Sequence, residues 1–229
     1  MNVKKAILPI IVIVILIIVP ATLMVVHHKK NIFRYEDNLD ETVVSIDDTS
    51  VSLREFGYYI YEVEAFVQDQ AVIYDPDNPK KWWNTHFSAG LDSTFVCDYA
   101  KKVAVNTLIC DEIYCREAIS QGMSLNADTK ARITKETEEM YGEMDSYQLD
   151  ITGLDKTVIQ NIKEKHALAS QYAEYLVSTG DFSRYSGDPH DLLNWDGQYY
   201  QEIILPSHMI TENEALLGKI TLGKITVNY

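Results

Sequence analysis

The sequence predicts a mainly helical domain with a small β element, from three observations. Apolar residues recur every three or four positions over residues 53–74, 91–122 and 154–177. β-forming residues flank a turn within residues 42–53, and β-formers return near the C-terminus in YYQEIIL and KITLGKITVNY. The first and last of these meet if the C-terminal run adds a strand or two to the N-terminal hairpin and so closes the domain.

Leu91 to Gly122 reads as the long helix against which the other segments pack. At about 100° per residue, Val96, Tyr99, Ala100, Val103, Cys110, Tyr114 and Ala118 share one broad face, and Asp98, Lys101, Glu112 and Arg116 gather opposite. So broad a face implies burial on more than one side. Asp92 and Ser93 can accept hydrogen bonds from its first turn, and Gly122 can take the left-handed conformation that ends it. Cys97, Cys110 and Cys115 all lie on this helix; Cys110 and Cys115 are about 140° apart around it, too far to bridge, and read as small core residues.

In chain order, residues 1–34 contain Lys4, Lys5, Lys29, Lys30 and Arg34 and no acid. The other 15 Lys and Arg therefore stand against all 34 Asp and Glu, a formal balance of −19 over residues 35–229, which argues against a nucleic-acid partner. Ala6 to Val26 is 21 residues without a charge, about 31 Å as a helix and so the thickness of a bilayer's hydrocarbon core. We expect a single-pass anchor with the C-terminal domain outside the cytoplasm. The alternative is a signal peptide cut near Ala21, although Leu23 to Val26 prolong the apolar run. The expected divisions are an anchor or signal at residues 1–30, a tether at 31–41, a helical domain at 42–180 and a C-terminal loop and β segment at 181–229.

Thr42 to Leu53 suggests a hairpin turning at Asp47 to Ser50, and Ser52 can cap the helix Leu53 to Tyr74. Leu53, Phe56, Ile60, Val63 and Val67 form the apolar stripe of that helix. Asp75, Asp77 and Asn78 look like the start of a calcium loop, but Lys80 occupies the glycine position and His86 the final glutamate position, which excludes it. Trp82, Trp83 and Phe87 must either plug a core or lie on a binding surface. Asn126 can cap a charged helix to about Met144, Tyr147 to Gly153 reads as a loop, and Gly180 stops the last long helix.

This order of elements resembles the helical N-terminal domain of the SurA and PrsA chaperone family. VVSIDDTSVSLREFGYYI is similar to that family's Val-x-x-x-Asn-Gly-x-x-Ile-x-x-x-Glu-Phe opening, with Asp47-Asp48 in place of Asn-Gly. WWNTHFSAGLDSTFVCDYAKKVAVNTLI, AISQGMSLNADTKARI and ITGLDKTVIQNIKEKHALASQYAEYL resemble its later segments, so the likeness covers about Thr42 to Leu176. Full-length members carry a parvulin-type peptidyl-prolyl isomerase domain; the tail here is shorter than that domain, and His190 and His208 stand isolated in it. The resemblance therefore implies a SurA-like helical domain without isomerase activity.

Phosphate loops, His-Glu-x-x-His helices, Cys-x-x-Cys pairs and Gly-x-Ser-x-Gly elbows are missing, and the six His share no ligand spacing. We expect no catalysis, no cofactor and no metal. The expected role is a membrane-anchored chaperone binding unfolded or exported polypeptides, through contacts chosen from Tyr58, Tyr59, Tyr61, Phe66, Trp82, Trp83 and Phe87. The alternative is an assembly or scaffold subunit binding one envelope partner. The sequence sets no oligomeric state.

Overall fold

The computed structural model of the chain describes residues 33–86 and 93–227. Strands β1 (Thr42–Ile46) and β2 (Thr49–Ser52) form the expected hairpin. Its turn puts Asp47 at φ +53°, a conformation that a short polar side chain tolerates better than most. The Asp47 carboxylate then holds a distant part of the chain, accepting from the Met209 N–H at 2.8 Å and from His208 Nδ1 at 2.9 Å.

Helix α1 (Leu53–Tyr74) begins with a reciprocal cap: Ser52 Oγ accepts from the Glu55 N–H, and Glu55 accepts from the Ser52 N–H at 3.0 Å. A short helix, α2 (Lys80–Trp83), leads towards the central helix α3 (Val96–Ser120). The expected cap at Ser93 is not used. Ser93 bonds the His86 ring at 2.6 Å, Phe95 takes the cap position, and Asp92 lies outside the described residues. Gly122, at φ +72°, ends the helix as expected, with the Met123 N–H returning to the Ala118 carbonyl at 2.9 Å.

Asn126 caps α4 (Ala127–Glu143), bonding the Thr129 N–H at 2.8 Å. The loop expected at residues 147–153 is instead the two-turn helix α5 (Ser146–Thr152), started by a capping box between Asp145 and Gln148. Asp155 caps α6 (Lys156–Thr179), which Gly180 ends. Helix α3 packs chiefly on α6 and then on α1, while α4 leans on α6. Leu53, Phe56 and Ile60 of α1, Leu108 and Ile113 of α3, Ile133 of α4 and Ile159 and Ile162 of α6 are fully buried among them. The three cysteines are free, and Cys97 and Cys115 are buried.

The tail departs from expectation in detail. After α7 (Pro189–Leu193), the YYQEIIL run forms a π turn over Tyr200–Ile204 and a 3-10 turn over Leu205–Ser207 rather than a strand. Strand β3 (Ile210–Glu212) pairs antiparallel with β1, giving the sheet order β2-β1-β3, and α8 (Glu214–Leu217) follows. Residues 219–227 contain neither strand nor helix. The fold is therefore mainly α with a small antiparallel sheet that joins the N-terminal hairpin to a C-terminal strand. Tyr35–Tyr229 is one compact unit.

The membrane expectation is corrected as well. Among the described residues no helix is long and apolar enough to cross a membrane, against the reading as a signal-anchored, single-pass membrane protein. The span expected at residues 6–26 lies outside the described residues.

Candidate apolar groove

Helix α1 carries more apolar residues than one core face can hold. Phe56, Ile60 and Ala71 point into the core. Val63, Phe66 and Val67 form a second row, which faces Val96, Tyr99, Ala100 and Val103 of α3 across an open groove of about 570 Å³, with Trp82 of α2 in its wall. Val63 and Val67, expected in the stripe of α1, and Tyr99 and Val103, expected on the broad face of α3, thus line an open surface. Glu62 and Gln70 supply the polar side chains of the lining.

Phe66 is 68% exposed and Tyr74 61% exposed; the Tyr74 and Trp82 rings meet at 4.4 Å, so the apolar surface continues past the groove. Such a surface can hold an aliphatic or aromatic segment. It brings together no acid–base pair and no nucleophile, since Glu62 and Tyr99 are its ionisable lining groups.

The structure splits the sequence-predicted site. Phe66 and Trp82 meet in the groove. Tyr58 and Tyr59 are buried elsewhere, their rings edge-to-face at 5.4 Å, and Tyr61 is half-buried away from the groove lining. Trp83 is buried, its Nε1–H donating to Gln68 Oε1 at 3.1 Å. Phe87 lies outside the described residues.

Tyr59 belongs to a polar link between three helices. Its hydroxyl donates to Asp111 Oδ2 of α3 at 3.1 Å, and His166 Nδ1 of α6 lies 3.0 Å from the same oxygen. Burial, and then the Asp111 charge, push the Tyr59 hydroxyl well above its ordinary pKa, so it stays a neutral donor. The hydrogen bond to Asp111, and then its charge, raise His166 above its usual 6.5; Glu62 assists, while desolvation and Lys163 oppose.

A histidine whose pKa is raised on folding contributes stability that is fully present below the unfolded value and is lost as pH rises through the folded value. Wild type is therefore expected to lose stability relative to His166→Gln as pH climbs above about 6.5. The effect is modest, because the His166 side chain is 59% exposed. Urea midpoints at pH 6 and pH 8 check this, and a wild-type-to-variant difference that is the same at both would refute it.

Sequence reasoning missed two residues of consequence. Glu64 is fully buried, and Lys101 donates to the Leu217 and Ile220 carbonyls at 3.2 and 3.1 Å. The signal for Glu64 was present: it sits four residues after Ile60, in register with the core face of α1.

Fold and groove together define a class, a mainly helical domain with an open apolar trough between two long helices. No family model matches the chain, and no curated protein or solved structure matches it. Among the described residues no group of three or more His, Cys, Asp or Glu could hold a metal ion.

Proposed function

We propose that this protein is a non-catalytic, chaperone-like binder of unfolded polypeptides, a reading that keeps the SurA and PrsA resemblance of residues 42–176 as a proposal. The observation that carries it is the groove between α1 and α3, where Phe66 and Trp82 stand over an almost wholly apolar lining. Apolar contact without fixed hydrogen bonds accepts many sequences, which is what a holder of unfolded chains requires. The acidic surface, with a net charge of −14 for the whole chain, favours neutral or basic clients and keeps the holder soluble.

Light scattering of several unrelated aggregating proteins, with and without the purified protein, is the test. Suppression of all of them at near-stoichiometric ratios is the expected result. Phe66→Ser combined with Trp82→Ala should weaken client binding about tenfold or more, since each ring buries an apolar side chain's worth of contact area. Phe66 is mostly exposed and Trp82 half-exposed, so circular dichroism should show the variant still folded. Suppression of none would sink the general-holder reading and leave a single dedicated partner.

A further inference from the structure

The side chain of Glu64 is fully buried. A bare carboxylate in such a place is costly unless several donors converge on it. Here they are backbone amides: Gly223 N–H reaches Oε1 at 2.5 Å, Lys224 and Ile225 N–H reach it at 3.3 Å each, and Thr226 donates its N–H at 2.5 Å and its hydroxyl at 2.6 Å to Oε2. Lys101 reads the same segment from the other end, at the Leu217 and Ile220 carbonyls, and Gln148 Nε2 donates to the Thr226 carbonyl at 3.0 Å. All of these bonds from the receptor go to main chain except the one to the Thr226 hydroxyl.

The side chains of the segment add a simple pattern. Ile220, Leu222 and Ile225 are buried, while Thr221 and Lys224 face solvent. Gly223, at φ +82°, lies against the Trp83 indole, and a Cβ there would collide with the ring. These contacts use a different face of α1 from the one that lines the groove, with Glu64 and Gln68 in place of Val63, Phe66 and Val67.

The geometry points to a second binding site, the cleft of Glu64, Lys101 and Trp83. It takes a curled peptide, its consecutive amides turned towards one carboxylate, with a glycine over the indole and apolar residues at the places of Ile220, Leu222 and Ile225. The chain fills it with its own residues 220–226, and the same segment supplied from outside can take that place. A receptor that reads backbone amides and carbonyls is largely indifferent to which chain provides them. The segment itself has no ladder to leave, since it pairs with no strand.

The test uses the whole chain carrying Gly223→Val, which strains the φ of that residue and drives its side chain into Trp83, so that the tail leaves while the receptor residues remain. A fluorescein-labelled peptide with the sequence of residues 218–227 is then titrated by anisotropy. Expected is saturable binding at least about tenfold tighter than to wild type, lost about tenfold when Glu64→Gln is added, because the new amide turns a donor towards the peptide N–H groups. No binding by a Gly223→Val chain with native circular dichroism overturns the proposal, as does binding indifferent to Glu64. If Gly223→Val does not fold, native-state hydrogen exchange of wild type decides. Amides of Gly223–Thr226 that exchange through an opening of their own, at least about tenfold faster than Leu108 and Ile113, support an exchangeable segment. Exchange only with global unfolding overturns it.

Discussion

Glu64→Ala is expected to lower the stability of the folded chain by about 3 kcal/mol, close to the loss for breaking a buried charge-assisted network. The carboxylate accepts from four consecutive amides, Gly223 to Thr226, and from the Thr226 hydroxyl. In a buried ion pair both partners can be exchanged for apolar side chains with little loss. Backbone amides cannot be exchanged, so alanine leaves donors that only invading water can satisfy. The loss has a ceiling, however. Once it exceeds the free energy of docking the tail, the chain keeps its helical core and releases residues 219–227. The variant should then show a smaller denaturant slope as well as a lower midpoint, because Ile220, Leu222 and Ile225 are exposed before unfolding begins. For a chain of this size the melting temperature would fall by roughly 6–12 °C. Urea denaturation read by tryptophan fluorescence measures both quantities, and an unchanged midpoint would show that the carboxylate does not hold the tail.

Glu64 also marks the boundary between what could and could not be read from the sequence. The hairpin, the caps at Ser52 and Asn126 and the three long periodic helices rest on local chemistry, and each is present. Helix α5 was equally legible, since Asp145 and Gln148 have capping-box spacing, although residues 147–153 read as loop. The tail was different in kind. Two runs of β-formers ask for strands, yet only Ile210–Glu212, between them, joins the sheet, beside β1. Residues 223–226 satisfy their amides on one distant side chain instead, an arrangement with no period to detect.

The candidate site was legible in part for an equally physical reason. Periodicity marks an apolar face without saying whether a neighbour covers it, so Val63, Val67, Tyr99 and Val103 looked like core. Successive residues of a helix point about 100° apart, so Trp82 and Trp83 met different surroundings. Trp83 went under the tail and Trp82 into the groove wall. Tyr58 and Tyr59 are both buried because two neighbours cover α1 there, Asp111 of α3 accepting from Tyr59 and Lys163 of α6 lying over the Tyr58 ring.

The arrangement of the tail makes a second large effect predictable, from the same small substitution at two glycines. A Cβ at Gly197 would press on the carbonyls of Asp191 and Leu192, and backbone, unlike a side-chain tip, cannot rotate away. To admit alanine, either the end of α7 or the start of the π turn must shift. The first carries buried Leu192 and Leu193, whose position is fixed by the Tyr114 hydroxyl donating to the Leu193 carbonyl at 2.6 Å; the second carries Tyr200, 1% exposed. Gly197→Ala is therefore expected to cost about 3 kcal/mol, the upper range for overpacking. Gly142, near the end of α4, has nothing within 4 Å of the corresponding position, so Gly142→Ala should stabilise the chain by about 0.5–1 kcal/mol through its helical preference alone. Urea denaturation of the two variants side by side gives opposite signs if α7 and the π turn pack as described. A harmless Gly197→Ala would mean that this turn stands off from α7, and the seat of Tyr200 against α3 would then have to be redrawn.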